Sequence, residues 1–222
     1  MDLYNPATIR SFTRDFTPPK TYGALYDQTL ATYCENAADF AKRYGEILPM
    51  HHDVALGFAL IFNPCPNVLE LGPGIGREAT EILKCPIKRY MGYDISRGML
   101  EIAREQNPTG QFMAVDFLRQ PFPSELQLIF AFDSLIHLDR TQLYEIIAKA
   151  ANVLDSGGVF YLSLKEGEYH HELQVDDIGT RQCFYYQMDD VAELAAMDFT
   201  VAYSERYEFR ESPRFKMALR KI

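Results

Sequence analysis

The stretch Val68-Leu69-Glu70-Leu71-Gly72-Pro73-Gly74-Ile75-Gly76-Arg77 decides how the rest of the chain is read. An apolar strand runs into a glycine-rich turn, and the turn opens a helix. In that arrangement the backbone passes close to a ligand and helix N–H groups point at its anionic part. The glycine spacing separates two classes of site. Dinucleotide sites use G-x-G-x-x-G, whereas here the third glycine comes one residue early and Arg77 stands where that pattern wants glycine. A pyrophosphate cradle is therefore disfavoured.

Downstream, short apolar runs alternate with helical stretches. Strands are expected at Asn67–Leu71, Arg89–Tyr93, Gln111–Val115, Leu126–Phe132 and Val159–Leu164, with helices at Arg77–Leu83, Arg97–Gln106 and Thr141–Leu154, the last closed by Gly157-Gly158. Alternation of this kind means βαβ units and a parallel sheet covered on both faces. After a helix at about Met188–Ala196, Phe199 to Phe209 and Phe215 to Leu219 alternate apolar with polar residues around the turn Glu211-Ser212-Pro213, which reads as an antiparallel hairpin. Upstream, apolar residues from Tyr26 to Tyr44 recur at helical spacing, a second helix is expected from His52 to Phe62, and residues 1–25 read as an arm with a short helix around Pro6 to Phe12. The expected organisation is an arm and helices over 1–62 that form a lid, and a ligand-binding domain over 63–222.

The 222 residues suit one large domain, or a domain with an added segment, at about 150 residues per domain. A hydrophobic share of 47% and a charged share of 24% are those of an ordinary globular chain. The net charge of −9 repels polyanions, so nucleic acid is not expected as a partner. The tail from Glu205 onward is basic, and its alternation reads as a solvated face. No apolar run is long enough to cross a membrane and the N-terminus lacks signal-peptide order, so a cytoplasmic protein is expected. Cys34, Cys65, Cys85 and Cys183 lie far apart with no C-x-x-C, which suits reduced thiols.

Two further carboxylates follow strand ends. Asp94, at the end of the second strand, can accept hydrogen bonds from both hydroxyls of a ribose. Asp116, after the third, can take a bond from an exocyclic adenine amine while neighbouring apolar side chains sandwich the ring. The motif Glu70-Leu71-Gly72-Pro73-Gly74-Ile75-Gly76 with Asp94 and Asp116 resembles the first three motifs of class I S-adenosylmethionine-dependent methyltransferases. Tyr33, Asn36-Ala37, Phe40 and Tyr44, then Ser134-Leu135-Ile136-His137, then Lys165-Glu166-Gly167-Glu168 with Arg181 and Tyr186, resemble segments of a subgroup of small bacterial enzymes. The resemblance covers Tyr33 to the end.

That resemblance implies a doubly wound α/β fold, a mostly parallel seven-stranded sheet whose last strand is antiparallel, behind a helical N-terminal extension. It implies S-adenosylmethionine as cofactor: Gly72, Gly74 and Gly76 beside its methionine part, Glu70 on its ammonium, Arg77 on its carboxylate, Asp94 on the ribose, and Asp116 with Phe117 on the adenine. Tyr33, Ile95, Met99 and Phe132 are the remaining expected cofactor contacts.

Methyl transfer from a sulfonium needs alignment and no metal, and an amine or hydroxyl acceptor needs a base. His137 is the candidate base, with Asp133 beside it, because imidazole titrates near neutrality; the plainer readings are that His137 packs the following helix and Asp133 caps it. Lys165, Glu168, Arg181 and Tyr186 are the expected acceptor contacts. Tyr33 and Tyr44 either close over the cofactor or belong to an apolar stripe. The pairs His51-His52 and His170-His171 read as loop residues, since adjacent side chains diverge. Lys165 to Asp177 holds Glu166, Glu168, Glu172, Asp176 and Asp177 against Lys165, so a small-molecule acceptor that is cationic or neutral is expected. Three alternatives stay open: a nicotinamide-dependent oxidoreductase, a non-catalytic cofactor-binding protein, and a methyltransferase acting on protein or RNA.

Overall fold

The computed structural model describes residues 22–222, so the arm and the short helix expected around Pro6 to Phe12 lie outside the described residues. Helices α1 (Ala24–Glu35), α2 (Ala37–Tyr44) and α3 (His51–Ala59) precede β1 (Asn67–Leu71), α4 (Arg77–Ile82), β2 (Arg89–Asp94), α5 (Arg97–Gln106), β3 (Gln111–Ala114) and β4 (Leu126–Ala131). A 3-10 turn at Leu135–His137 leads into α6 (Arg140–Val153), β5 (Leu154–Glu166), β6 (His170–Asp176), β7 (Gly179–Tyr186), α7 (Met188–Ala195), β8 (Phe199–Phe209) and β9 (Ser212–Lys221).

The strands β3-β2-β1-β4-β5 are parallel, and β9 lies antiparallel along β5 with β8 outside it, which makes the expected seven-stranded body. Successive side chains point to opposite faces of a strand. Leu69, Leu71, Ile129, Ala131, Phe160 and Leu162 accordingly enter one core, while Val68, Leu128, Phe130, Val159 and Tyr161 enter the other. Both faces are buried, which is why β1 carries no exposed position.

Three features depart from the expected elements. The helix expected over Tyr26–Tyr44 breaks at Asn36, whose side-chain amide donates to the Thr32 carbonyl at 2.9 Å and so competes with helix continuation. The strand expected to start at Val159 begins at Leu154, and Gly157 sits within it at φ +80° where the register to β4 shifts. Last, β6 and β7 form a second hairpin, giving a nine-stranded sheet among the described residues. Pairing with β4 ends at Leu162, and β7 takes up Lys165 and Glu166 beyond it. Thr32 donates to the Thr180 carbonyl at 2.8 Å and the Gln182 N–H donates to Thr29 Oγ1 at 2.9 Å, so α1 is pinned onto this hairpin.

Candidate active site

Two cavities open side by side at the carboxyl ends of the parallel strands. A narrow one is bounded by α1 and by the ends of β1, β2 and β3; a wide one, of about 670 Å³, is bounded by α2, β7 and the start of β9. They share a wall made by Tyr33, Gly72, Gly74, Met99, Phe132, Asp133 and His137.

The glycine turn gives the narrow cavity its floor. Gly72 has φ +75°, and a Cβ there would lie 2.3 Å from Ser134 Cβ, so the backbone is pressed against the loop after β4. Gly74 has φ +55°, and a Cβ there would meet nothing nearer than Met99 Sδ at 3.9 Å, which leaves its backbone bare to the cavity. The N–H of Gly74 donates to Asp94 Oδ2 and that of Ser96 to Oδ1, both at 2.9 Å. Burial raises the Asp94 pKa and these donors oppose the rise. Each oxygen keeps a second acceptor site. Asp116 Oδ1 accepts from the Tyr26 hydroxyl at 3.0 Å and the Leu118 N–H at 2.9 Å. Its Oδ2 lies 3.1 Å from Arg119 Nη1, an ion pair out of line for a hydrogen bond, and so remains a buried acceptor with no hydrogen-bond partner. Ile95, Met99, Phe117 and Phe132 supply apolar wall.

Two expected cofactor contacts stand off both cavities. Glu70 is 1% exposed and accepts from the Tyr90 hydroxyl at 2.5 Å; burial, with Glu78 nearby, pushes its pKa up to about 8. Gly76 packs on α5, where a Cβ would come within 2.7 Å of Asn107 Nδ2. Arg77 lines the wide cavity and pairs with Glu78 at 3.1 Å.

His137 is buried on the shared wall. Its Nδ1 lies 2.6 Å from the Gln182 carbonyl, which can only accept, so Nδ1 carries the proton and Nε2 accepts from the Tyr33 hydroxyl at 2.8 Å. Burial lowers its pKa to about 4, so the ring is neutral near pH 7. The Tyr33 hydroxyl thus occupies the acceptor nitrogen of the expected base, and both side chains line the two cavities. Asp133 caps no helix: it sits at φ +52° and its Oδ1 accepts from Ser163 Oγ at 3.0 Å and Arg214 Nη1 at 2.6 Å.

On the wide side, Lys165 and Arg181 line the cavity, whereas Glu168 and Tyr186 do not. Glu168 is exposed in the turn before β6. Tyr186 is fully buried and donates to the Leu138 carbonyl at 2.7 Å; its neighbour Tyr185 faces the cavity, because adjacent strand residues point to opposite sides. The acidic run also goes elsewhere than expected. Glu166 pairs with Arg206 at 2.9 Å, and Asp176 with Arg43 at 2.9 Å and Arg181 at 2.6 Å. Of its five carboxylates Glu172 alone reaches the wall, where Glu78, Asp133 and Glu172 stand against Arg43, Arg77, Lys165, Arg181, Arg210 and Arg214. This excess of cations counts against the expected cationic or neutral acceptor. The basic tail is a solvated face only in part: Arg206 and Arg210 are exposed, whereas Arg214 and Lys216 are each 8% exposed. Its periodicity was visible, but the sense of the alternation depends on the pairing of β9 with β5.

Residues 68–158 match the family model described as a methyltransferase domain. An uncharacterized methyltransferase of Bacillus cytotoxicus is 27% identical over 138 residues, which cover 62% of this chain and 64% of that protein's length. The solved complex of DhpI with S-adenosylhomocysteine superposes with a TM-score of 0.70 at 16% identity, covering 90% of this chain and 99% of that one. N-methyltransferase NodS of Bradyrhizobium japonicum, solved with S-adenosylhomocysteine, gives a TM-score of 0.68 at 17% identity over 88% and 99% of the two chains. A 1,6-didemethyltoxoflavin-N1-methyltransferase of Burkholderia thailandensis, solved with its namesake molecule and S-adenosylhomocysteine, gives a TM-score of 0.68 at 20% identity over 92% and 93%. At these identities the structures speak for the fold, and the family match speaks for the glycine motif and the strands around it. The chain is thus similar over residues 68–158 to a methyltransferase domain, and it shares the fold of methyltransferases solved with S-adenosylhomocysteine.

Proposed function

We propose that the protein transfers a methyl group from S-adenosylmethionine to a small-molecule acceptor in a soluble, reducing compartment, the cytosol. The observation that carries this reading is the pairing of the cavities: a narrow one with carboxylates at successive strand ends, opening through Gly72, Gly74 and Phe132 into a wide one. The narrow cavity fits the cofactor on two counts. The buried Asp116 Oδ2 lacks a hydrogen-bond donor of the kind an adenine amine offers, and Gly74 leaves bare backbone where a side chain would intrude.

In this reading Asp94 holds the ribose, Asp116 and Phe117 the adenine, and Arg77, at the start of α4, the carboxylate of the methionine part. When bound, the cofactor supplies a methyl group activated by its sulfonium. Glu70 acts at one remove, through its hydrogen bond with Tyr90 beside the turn. Tyr33 and His137 hold and move the proton of an amine or hydroxyl acceptor. The Tyr33 oxygen has a free lone pair for the acceptor proton, and its own proton passes to His137 Nε2, oriented by the Nδ1–H to Gln182 bond. Helices α1 and α2 roof both cavities through Tyr26, Tyr33, Phe40 and Tyr44, and serve as the lid. Among the described residues no helix is long and apolar enough to cross a membrane, and the four cysteines are free.

Calorimetry with S-adenosylhomocysteine and with NAD tests the reading. We expect micromolar binding of the first and none of the second. NAD binding without S-adenosylhomocysteine binding would overturn it in favour of a nicotinamide enzyme.

A further inference from the structure

The wide cavity ends in two buried cations whose charge is incompletely matched. Lys165 on β5 and Arg214 on β9 are direct cross-strand partners, so their side chains share a face, and both line the cavity. Like charges directly opposite one another disfavour a sheet. They are 7% and 8% exposed, which removes most of the water that would screen them. One carboxylate, Asp133, pairs with Arg214 at 2.6 Å. Among the described residues Lys165 has no carboxylate at ion-pair distance; its ammonium donates to the Tyr185 hydroxyl at 3.2 Å, and that hydroxyl donates onward to Glu172 at 2.6 Å. An ammonium has three donors, so others remain for a ligand. Arg214 Nε is buried with no hydrogen-bond partner. A buried cation pair with spare donors on a cavity wall calls for an anion with several acceptor atoms.

We propose that the methyl acceptor carries an oxyanion, a carboxylate, phosphate or phosphonate, bound between Lys165 and Arg214. This rests on the methyltransferase reading and adds the substrate class to it. The cofactor's own carboxylate is assigned to Arg77, which also borders the wide cavity at the start of α4, so Lys165 and Arg214 are left for a second anion. Both residues border the wide cavity and neither borders the narrow one that holds the expected ribose and adenine contacts. Asp133 keeps Arg214 extended toward the cavity, and the apolar rings of Phe40, Tyr44 and Phe209 leave room for a body of modest size behind the anion.

The test uses the whole protein saturated with S-adenosylhomocysteine, titrated calorimetrically in a phosphate-free buffer near pH 7.5. The probes are benzoate, phenylphosphonate, benzyl alcohol and benzylammonium, which share a ring and differ in charge. We expect at least one anion to bind tenfold or more tighter than the neutral and cationic probes. Lys165→Met and Arg214→Gln should each weaken that binding at least tenfold while S-adenosylhomocysteine affinity stays within twofold, which also shows that the variants are folded. Preference for benzylammonium or benzyl alcohol, or no binding of either anion, would overturn the proposal and leave the methyltransferase reading standing. So would a fall in S-adenosylhomocysteine affinity in step with anion affinity, since the cations would then serve the cofactor. Failure of S-adenosylhomocysteine to bind the wild type would overturn the underlying reading, and this proposal with it.

Discussion

The narrow cavity takes the glycine turn, Asp94 and Asp116 from the carboxyl ends of β1, β2 and β3, whereas the wide cavity gathers Arg43, Lys165, Arg181 and Arg214 from α2, β5, β7 and β9. In the first, backbone geometry does most of the positioning: Gly74 and Ser96 donate their N–H groups to the same Asp94 carboxylate that is expected to meet the ligand. In the second, side chains are held by one another, Arg214 by Asp133 and Arg181 by Asp176. The narrow side is thus specified by local motifs, and the wide side by long-range strand register. A fold that keeps one cofactor while changing acceptors divides its site in this way.

Asp94→Ala should separate the two sides most sharply. Loss of two charge-assisted hydrogen bonds is worth about 4 kcal/mol, or about three orders of magnitude in S-adenosylhomocysteine affinity measured by calorimetry. A loss under tenfold would mean that the ribose lies elsewhere.

On the shared wall, His137→Gln should lower kcat about 100-fold with little change in cofactor affinity. In the wild type the pH profile should lose activity as pH falls through about 4, not 6.5, because burial depresses the His137 pKa. Stability carries the same sign: the unfolded chain binds the proton first, so the His137 contribution is complete above about 6.5 and falls away toward pH 4, by up to about 3 kcal/mol. The wild-type melting temperature should therefore drop more between pH 7 and 5 than that of His137→Gln. Equal drops would show that His137 titrates normally.

The smallest expected effects distinguish neighbouring tyrosines on β7. Tyr185→Phe removes a hydroxyl bonded to Lys165 and should raise the acceptor KM about threefold at unchanged stability. Tyr186→Phe should leave KM alone and cost about 1 kcal/mol, read as a lower melting temperature, because its buried hydroxyl satisfies the Leu138 carbonyl. The reverse pattern would invert the face assigned to each.

These tyrosines also mark where the sequence stopped being readable. The α/β alternation, the C-terminal hairpin and the placing of Asp94 and Asp116 at successive strand ends were legible, because hydrophobic pattern and glycine turn agree there. The hairpin of β6 and β7 was not. The burial pattern of β6 is largely exposed, so no apolar alternation announces it. Choosing Tyr186 over Tyr185 is a parity error of one residue, and parity follows from pairing with β5, which no local pattern encodes. The charge of the wide cavity's wall went unread for a related reason. Counting Glu166, Asp176 and Asp177 as free carboxylates overlooked Arg206, Arg43 and Arg181, which neutralise them from distant segments.

A structure of the protein with S-adenosylhomocysteine would show whether one cofactor cavity opens into one acceptor cavity. The adenine should lie beside Asp116 and Phe117, the ribose on Asp94, and the sulfur at the shared wall near Phe132 and His137, facing the wide cavity. An S-adenosylhomocysteine bound outside the narrow cavity, or with its sulfur turned away from the wide one, would contradict this arrangement.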